Sequence, residues 1–134
     1  KKVAEAVLAE TEVEARLLIA VATKGGGRIN EHFGHAREFQ VYEATAEGVS
    51  FVGHRKVEDA YCEGGFGEDA TLDSTIKTLA GIDVVLCSKI GHCPQDELKA
   101  AGILATDAYA LDYIETAIST VFSKTFATAE RLIA

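Results

Sequence analysis

The fold is decided by the stretch Leu17-Leu18-Ile19-Ala20-Val21-Ala22-Thr23-Lys24-Gly25-Gly26-Gly27-Arg28-Ile29-Asn30-Glu31-His32-Phe33-Gly34-His35-Ala36. Its first six residues are apolar, and an uninterrupted apolar run of this kind is typical of a buried strand. The glycine-rich loop that follows carries two of the four histidines of the chain. Because α/β proteins hold ligands in loops at the ends of buried strands, the stretch predicts a central strand followed by a ligand-binding loop.

The composition is that of one globular domain in a reducing compartment. The chain has 134 residues, of which 48% are hydrophobic and 25% are charged. A net charge of -8 argues against nucleic-acid binding, which needs a basic surface. We find no apolar run of the ~20 residues that span a membrane and no secretory signal. The odd number of cysteines (Cys62, Cys87 and Cys93) indicates free thiols, so we expect a cytoplasmic protein.

The lack of methionine and the first residue of the chain suggest a piece of a longer protein. The sequence contains no Met and begins with Lys, and we therefore expect an excised or processed piece of a longer protein. Residues 1–16 are rich in Ala and Glu, which predicts a helical linker. Residues 17–134 then form the domain itself.

Hydrophobic patterning predicts five strands and three helices after the linker. The strands are expected at 17–23, 38–43, 49–55, 82–87 and 103–106, with the second and third forming a hairpin around Glu47-Gly48. The helices are expected from Asp69 or Thr71 to Ala80, at 95–101 before Gly102, and at 109–122. Five residues share the apolar face of the last helix: Leu111, Ile114, Ile118, Val121 and Phe122. This order predicts an α/β domain with a mixed sheet flanked by helices and the first strand at its centre.

His32 and His35 are the leading candidates for function. Imidazole is a ligand for iron, zinc and copper, and it also serves as a general base. Three residues apart, the two side chains share one face of a helical turn or converge in a tight loop. The alternative is a structural role, in which each histidine bonds the backbone near the turn at Gly34.

The glycines of the loop suggest an anion site as one of two interpretations. Gly25, Gly26 and Gly27 tolerate positive φ and expose backbone N–H groups, and Lys24 and Arg28 flank them with positive charge. The pattern matches neither the dinucleotide fingerprint nor a Walker A loop. The alternative is a flexible loop with a solvated edge.

A second candidate loop, Cys87-Ser88-Lys89-Ile90-Gly91-His92-Cys93-Pro94, directly follows another buried strand. If the two strands are parallel neighbours, both loops open at the same edge of the sheet. Thiolate and imidazole suit iron–sulfur or zinc chemistry, although the spacing is not that of a zinc finger. Cys87 lies inside the apolar strand and is expected in the core. Cys93, at a helix start that favours a thiolate, is the better ligand candidate. Cys62 is a further candidate and lies in a separate loop that is rich in glycine and acidic residues.

A Cys–His hydrolase is the enzyme alternative. His92 is adjacent to Cys93 in the chain and cannot easily pair with it, so His32 would have to reach across. The sequence carries no oxyanion-hole signature.

The histidine loop resembles a known family. Residues 19–23, 29–36 and 39–43 are similar to the dinitrogenase iron–molybdenum cofactor-binding (NifX/NafY-like) family, and the His32-Phe33-Gly34 loop is the most specific part of the resemblance. Residues 61–65 and 90–94 are similar to cysteine-bearing segments in the C-terminal domains of NifB-type proteins of this family. The resemblance spans about residues 17–122 and implies a ribonuclease H-like fold with a five-stranded mixed sheet.

The resemblance also implies a function. Members bind, protect and pass on an iron–sulfur precursor of the nitrogenase iron–molybdenum cofactor, and their partners are other nitrogenase assembly proteins. The implied metal contacts are His32 first, then His35, with Cys93, His92 and Cys62 as helpers. The implied surroundings of the cluster are the loop residues Lys24, Gly25, Gly26, Gly27, Arg28, Asn30, Phe33 and Gly34. The chain lacks the Cys-x3-Cys-x2-Cys motif of radical S-adenosylmethionine enzymes, so we expect a carrier that is not an enzyme, or alternatively a docking module that does not touch the cluster.

Overall fold

The computed structural model describes residues 16–57 and 69–133, with side chains for 16–57 and 72–125. The strands are β1 (Arg16–Ala22), β2 (Glu38–Thr45), β3 (Gly48–Lys56), β4 (Val84–Leu86) and β5 (Leu104–Thr106). The helices are α1 (Asp69–Thr78), α2 (His92–Ala100) and α3 (Ile114–Ile133), and a short 3-10 helix spans Phe33–His35. Apart from Arg16, which begins β1, the predicted linker lies outside the described residues. Within the described part of the chain, no helix is long and apolar enough to span a membrane.

The five strands form one mixed sheet with β1 at its centre. The strand order is β3-β2-β1-β4-β5. β2 is antiparallel to both β1 and β3, whereas β1, β4 and β5 run parallel to one another. The predicted hairpin is present, with Thr45 paired to Gly48 across its turn. The ribonuclease H-like architecture predicted for this α/β domain is confirmed.

Each face of the sheet carries its own hydrophobic core. Ile19 and Val21 of β1 point to the face that α3 covers, where they join Ile114 and Ile118. The alternate β1 residues, including Ala20, point to the other face and join side chains from α1, α2 and the histidine loop, namely Leu72, Leu98 and Phe33. Because successive strand residues point to opposite faces, a continuous apolar run is what a strand covered on both sides requires.

The second helix begins earlier than the sequence predicts. α2 starts at His92 and ends at Ala100, so His92 and Cys93 lie in its first turn and not in a loop. Pro94 is compatible with this start because the first turn of a helix does not use its N–H groups in intrahelical bonds. The predicted stop at Gly102 is confirmed: its φ is 83°, and Gly102 and Ile103 donate their N–H groups to Lys99 and Leu98.

The last helix begins five residues later than predicted, at Ile114 instead of residue 109. Leu111, which the periodicity assigned to the apolar face, adopts a φ of 68° and is 61% exposed. Its N–H donates to the carbonyl oxygen of Ile29 at 2.7 Å, while the N–H of Ile29 donates to Asp112 at 3.0 Å. This pairing with the glycine-loop segment replaces the first helical turn. The remaining apolar face is as predicted, with Ile114, Ile118 and Val121 buried.

Candidate functional site at the carboxyl edge of the sheet

The histidine loop and the second candidate loop meet at one edge of the sheet. β1 and β4 are parallel neighbours, so the loops that follow them emerge side by side. The N–H of Phe33 donates to the carbonyl oxygen of Lys89 at 2.9 Å, and the N–H of Ser88 donates to Glu31 at 2.9 Å. The expected juxtaposition of the two loops is therefore confirmed, and backbone hydrogen bonds fix their relative position.

Phe33 anchors the two histidines. Its side chain is 1% exposed and packs against Phe39 with ring centroids 5.9 Å apart. Phe33 is the first residue of the 3-10 helix Phe33–His35, and the N–H of His35 donates to the carbonyl oxygen of His32 at 3.1 Å. This turn leaves both imidazoles exposed and stacks them, with centroids 5.0 Å apart and ring planes inclined by 17°. The buried phenylalanine thus holds two accessible imidazoles as a pair.

A cavity of about 720 Å³ lies between the two loops. Ten residues line it: His32, Phe33, Gly34, His35, Lys89, Ile90, Gly91, His92, Cys93 and Pro94. The lining combines imidazole and thiol groups with apolar surface, and these are the donor types that iron–sulfur clusters use. His32, His35, His92 and Cys93 are all exposed to solvent.

The charge of the cavity differs in sign from that of the chain. Among the described residues, its lining contains Lys89 and neither Asp nor Glu, whereas the whole chain carries a net charge of -8. The neighbouring Glu31 uses its Oε1 to accept the N–H of His32 at 2.8 Å. The lining of the cavity therefore carries one formal positive charge, that of Lys89, and no carboxylate.

Cys87 belongs to the core, as the sequence predicts. Its side chain is 0% exposed, and Sγ donates to the carbonyl oxygen of Thr106 at 3.6 Å. Burial, reinforced by the negative charge of Asp107, raises the pKa of the Cys87 thiol to about 12. The thiolate form that a metal ligand requires is thus strongly disfavoured at this position.

The glycine loop faces a different part of the molecule. Gly25, Gly26 and Gly27 have φ values of 110°, 76° and 72°, which is the left-handed region that glycine tolerates. The N–H of Lys24 donates to Asn30 Oδ1 at 2.7 Å, and the N–H of Gly25 donates to Thr23 Oγ1 at 3.0 Å. These two amides are used within the loop, and none of the residues 24–28 lines the cavity.

Arg28 is committed to the segment before α3. Its guanidinium lies over the ring of Tyr113 at 4.3 Å from the centroid. It also donates to the carbonyl oxygen of Leu111 at 3.1 Å and to the Tyr113 hydroxyl at 2.9 Å. The structure therefore does not bring Arg28 together with His32. Asn30, another predicted site residue, forms hydrogen bonds with Lys24 and Gly25 within the glycine loop.

Two residues that line the cavity, Lys89 and Ile90, are not among the site residues predicted from the sequence. The signal for Lys89 and Ile90 was their position directly after β4, inside the segment that carries His92 and Cys93. Cys62 lies outside the described residues. Within residues 16–57 and 72–125, no three His, Cys, Asp or Glu side chains converge on a common metal position.

Among the described residues, Cys93 lacks the contact with an imidazole that the Cys–His hydrolase alternative requires. Cys93 is an exposed free thiol in the first turn of α2. Among the described residues, its Sγ forms no hydrogen bond with an imidazole, and a nucleophile–base pair needs such a contact. His92 and Cys93 share a helical turn at adjacent positions, which do not face each other.

Comparison with known proteins places the chain in a family. The model of the dinitrogenase iron-molybdenum cofactor family matches residues 15–124. The chain is 60% identical over 129 residues to the FeMo cofactor biosynthesis protein NifB of Sinorhizobium fredii, covering 96% of this chain and 26% of the relative. It is 52% identical over 126 residues to NifB of Rhizobium meliloti, covering 94% of this chain and 26% of that protein. The chain thus spans about a quarter of the length of these curated relatives.

A solved structure shares the fold. The apo form of the orange protein from Desulfovibrio gigas superposes with a TM-score of 0.57 at 21% identity, covering 80% of this chain and 88% of that one. At this identity the likeness concerns the fold alone. The family model covers most of the chain, including both loops at the carboxyl edge of the sheet. The chain therefore belongs to the dinitrogenase iron-molybdenum cofactor family.

Proposed function

We propose that this domain binds an iron–sulfur precursor of the nitrogenase iron–molybdenum cofactor in the cavity beside His32 and passes it on during cofactor assembly. The observation that carries the proposal is the exposed, stacked pair of His32 and His35, which lines an open cavity together with Cys93. Membership of a family involved in cofactor biosynthesis supports the choice of cargo. On this proposal the partners are other nitrogenase assembly proteins of the cytoplasm, and the domain itself catalyses no reaction.

An incomplete ligand set suits a carrier better than a storage site. A cluster held by a full set of protein ligands is bound tightly, whereas one held by one or two exchangeable ligands can be released to the next protein. His32 and His35 supply two imidazoles, and Cys93 lines the same cavity. We assign His32 as the first ligand and His35, Cys93 and His92 as supporting contacts.

The test is an anaerobic binding experiment with the precursor cluster isolated from cofactor synthesis. The wild-type chain is mixed with the cluster and separated from free cluster by gel filtration, and iron is measured in the protein fraction. We expect the wild type to retain iron and His32→Ala to lose most of it. His54→Ala is the matched control, because His54 is also exposed but does not line the cavity and instead contacts Glu38 at 3.2 Å.

Two results would contradict the proposal. One is a wild-type chain that retains no iron, and the other is a His32→Ala variant that retains as much iron as His54→Ala. Circular dichroism of each variant separates loss of the ligand from loss of the fold.

A docking role without cluster binding is the second candidate function. An exposed apolar patch favours it: Leu111 is 61% exposed and Tyr113 is 57% exposed, and both lie before α3 beside Arg28. Exposed apolar patches mark protein–protein contacts more often than the rest of a surface does. If docking were the whole function, iron retention would not depend on His32.

A further inference from the structure

Lys89 occupies a defined position next to the loop that carries the histidine pair. Its carbonyl oxygen accepts the N–H of Phe33 at 2.9 Å, and an isolated parallel bridge pairs Lys89 with His32. The backbone of Lys89 is thereby fixed against the loop that carries the imidazoles. Its side chain is exposed and forms part of the cavity wall.

The ammonium group of Lys89 is available to a ligand. No carboxylate among the described residues forms an ion pair with it. Arg28, in contrast, is held by Tyr113 and Leu111. The N-terminus of α2, which begins at His92, adds a positive partial charge at the same wall.

We propose that Lys89 binds the negative charge of the cargo and makes the cavity select an assembled anionic iron–sulfur cluster over free divalent metal ions. This inference rests on the proposed function and names a residue and a selectivity for the same site. A free divalent ion is repelled by the lysine and, within the described residues, meets no converging set of three ligands. A cluster that brings its own sulfides and negative charge needs few protein ligands and gains from the lysine.

The first experiment measures anaerobic binding of a [4Fe–4S] cluster capped by simple thiolates, which is an anionic probe of known composition. Lys89→Gln is compared with Lys99→Gln, an exposed lysine in the last turn of α2 that does not line the cavity. Both variants remove one positive charge, so they differ only in its position. We expect Lys89→Gln to weaken binding by about three- to tenfold and Lys99→Gln to leave it unchanged.

Ionic strength and a conservative variant give two further readouts. Binding to the wild type should weaken as salt is raised, and the dependence should be shallower for Lys89→Gln because one charge contact is gone. Lys89→Arg keeps the charge and should restore binding. A structural role of the lysine would produce neither the altered salt dependence nor the rescue.

The second experiment measures zinc alone on the wild type and on Lys89→Glu. The new carboxylate would line the same cavity as His32 and His35, and two imidazoles with a carboxylate form a zinc-binding set. We expect Lys89→Glu to gain zinc affinity and to lose the cluster probe.

The outcomes separate the two proposals. If the wild type binds the cluster and Lys89→Gln binds it equally at every salt concentration, the role of Lys89 is overturned while the cavity remains the site. If the wild type does not bind the thiolate-capped probe, the role of Lys89 in holding anionic clusters is overturned. If it also retains no iron from the isolated precursor, the proposed function is overturned as well. If the wild type prefers zinc alone to the cluster, the selectivity is overturned.

Discussion

The N–H of Phe33 donates a 2.9 Å hydrogen bond to the carbonyl oxygen of Lys89. This bond joins the loop after β1 to the loop after β4, and both of its residues line the cavity between the loops. The phenyl ring of Phe33 is buried beneath the bond, and His32 and His35 lie on either side of Phe33 in the chain. One residue thus connects the core of the domain to the position of its candidate ligands.

Removing the Phe33 ring should damage stability and the site together. We expect Phe33→Ala to lower the free energy of unfolding by about 3–5 kcal/mol, because a fully buried ring leaves a cavity in the core. Phe51→Ala is the control: Phe51 is 53% exposed on β3, so a loss of about 1 kcal/mol is expected. Urea denaturation measures both values. Equal losses in the two variants would show that Phe33 is not the anchor.

The contact between Arg28 and Tyr113 should contribute to stability and not to cluster retention. Arg28→Ala removes a cation–π contact and two hydrogen bonds, and we expect the free energy of unfolding to fall by about 1–2 kcal/mol. Tyr113→Phe keeps the ring and loses only the hydroxyl contact, so its effect should be smaller. Iron retention should match the wild type in both variants. Loss of iron as severe as in His32→Ala would instead make the glycine loop part of the site.

The left-handed backbone at Leu111 offers a stabilising substitution. Its φ of 68° is costly for a residue with a Cβ, and its side chain is 61% exposed. We expect Leu111→Gly to raise the free energy of unfolding by about 0.5–1 kcal/mol, since glycine tolerates this conformation and little burial is lost. Leu111→Ala keeps the unfavourable φ and should give no gain. The prediction fails if thermal unfolding shows the two variants to be equally stable.

The Cys87 thiol should make the fold sensitive to alkaline pH. Burial raises its pKa from 9.0 to about 12, so between these values the folded state keeps a proton that the unfolded state releases. Its contribution to stability is fully present below pH 9.0 and is lost as pH rises toward about 12, at up to about 1.4 kcal/mol per pH unit.

Cys87→Ala isolates this effect from the other groups that titrate in the same range. The difference in unfolding free energy between the wild type and Cys87→Ala is measured at about pH 8 and about pH 10. We expect the advantage of the wild type to shrink at the higher pH. An advantage that is constant across the two conditions would contradict the buried thiol's role.

Much of the architecture was predictable because it follows from local chemistry. The apolar run of β1 indicated a buried strand. The alternation of polar and apolar residues in the next two segments indicated a hairpin, and the order of strands and helices then predicted a mixed sheet. The helix stop at Gly102 was also predictable, because a glycine after a helix adopts the left-handed conformation that ends it. Cys87 was assigned to the core from its place inside an apolar strand, and it is 0% exposed.

The errors in the prediction arise where a distant segment overrides a local pattern. The apolar spacing of Leu111 fits a helix, yet its backbone pairs with Ile29, and the helix begins at Ile114. Arg28 stands beside the glycines in the chain, and its contacts with Tyr113 and Leu111, which no local pattern foresees, keep it out of the cavity lining. Its predicted contact with the cluster stays a prediction. Hydrogen bonds between residues about eighty positions apart leave no local periodic signal.

The sequence by itself determined the central strand, the sheet class, the family resemblance and the candidate role of His32 and His35, because residue type and spacing carry that information. Only the tertiary structure decided which of the nearby groups share one cavity. The parallel pairing of β1 with β4 brings Lys89 and Cys93 to the histidines, and the pairing of Ile29 with Leu111 and Asp112 holds the glycine loop and Arg28 on another side. The physical reason is that long-range backbone hydrogen bonds, which no local pattern encodes, set the position of each loop at this edge.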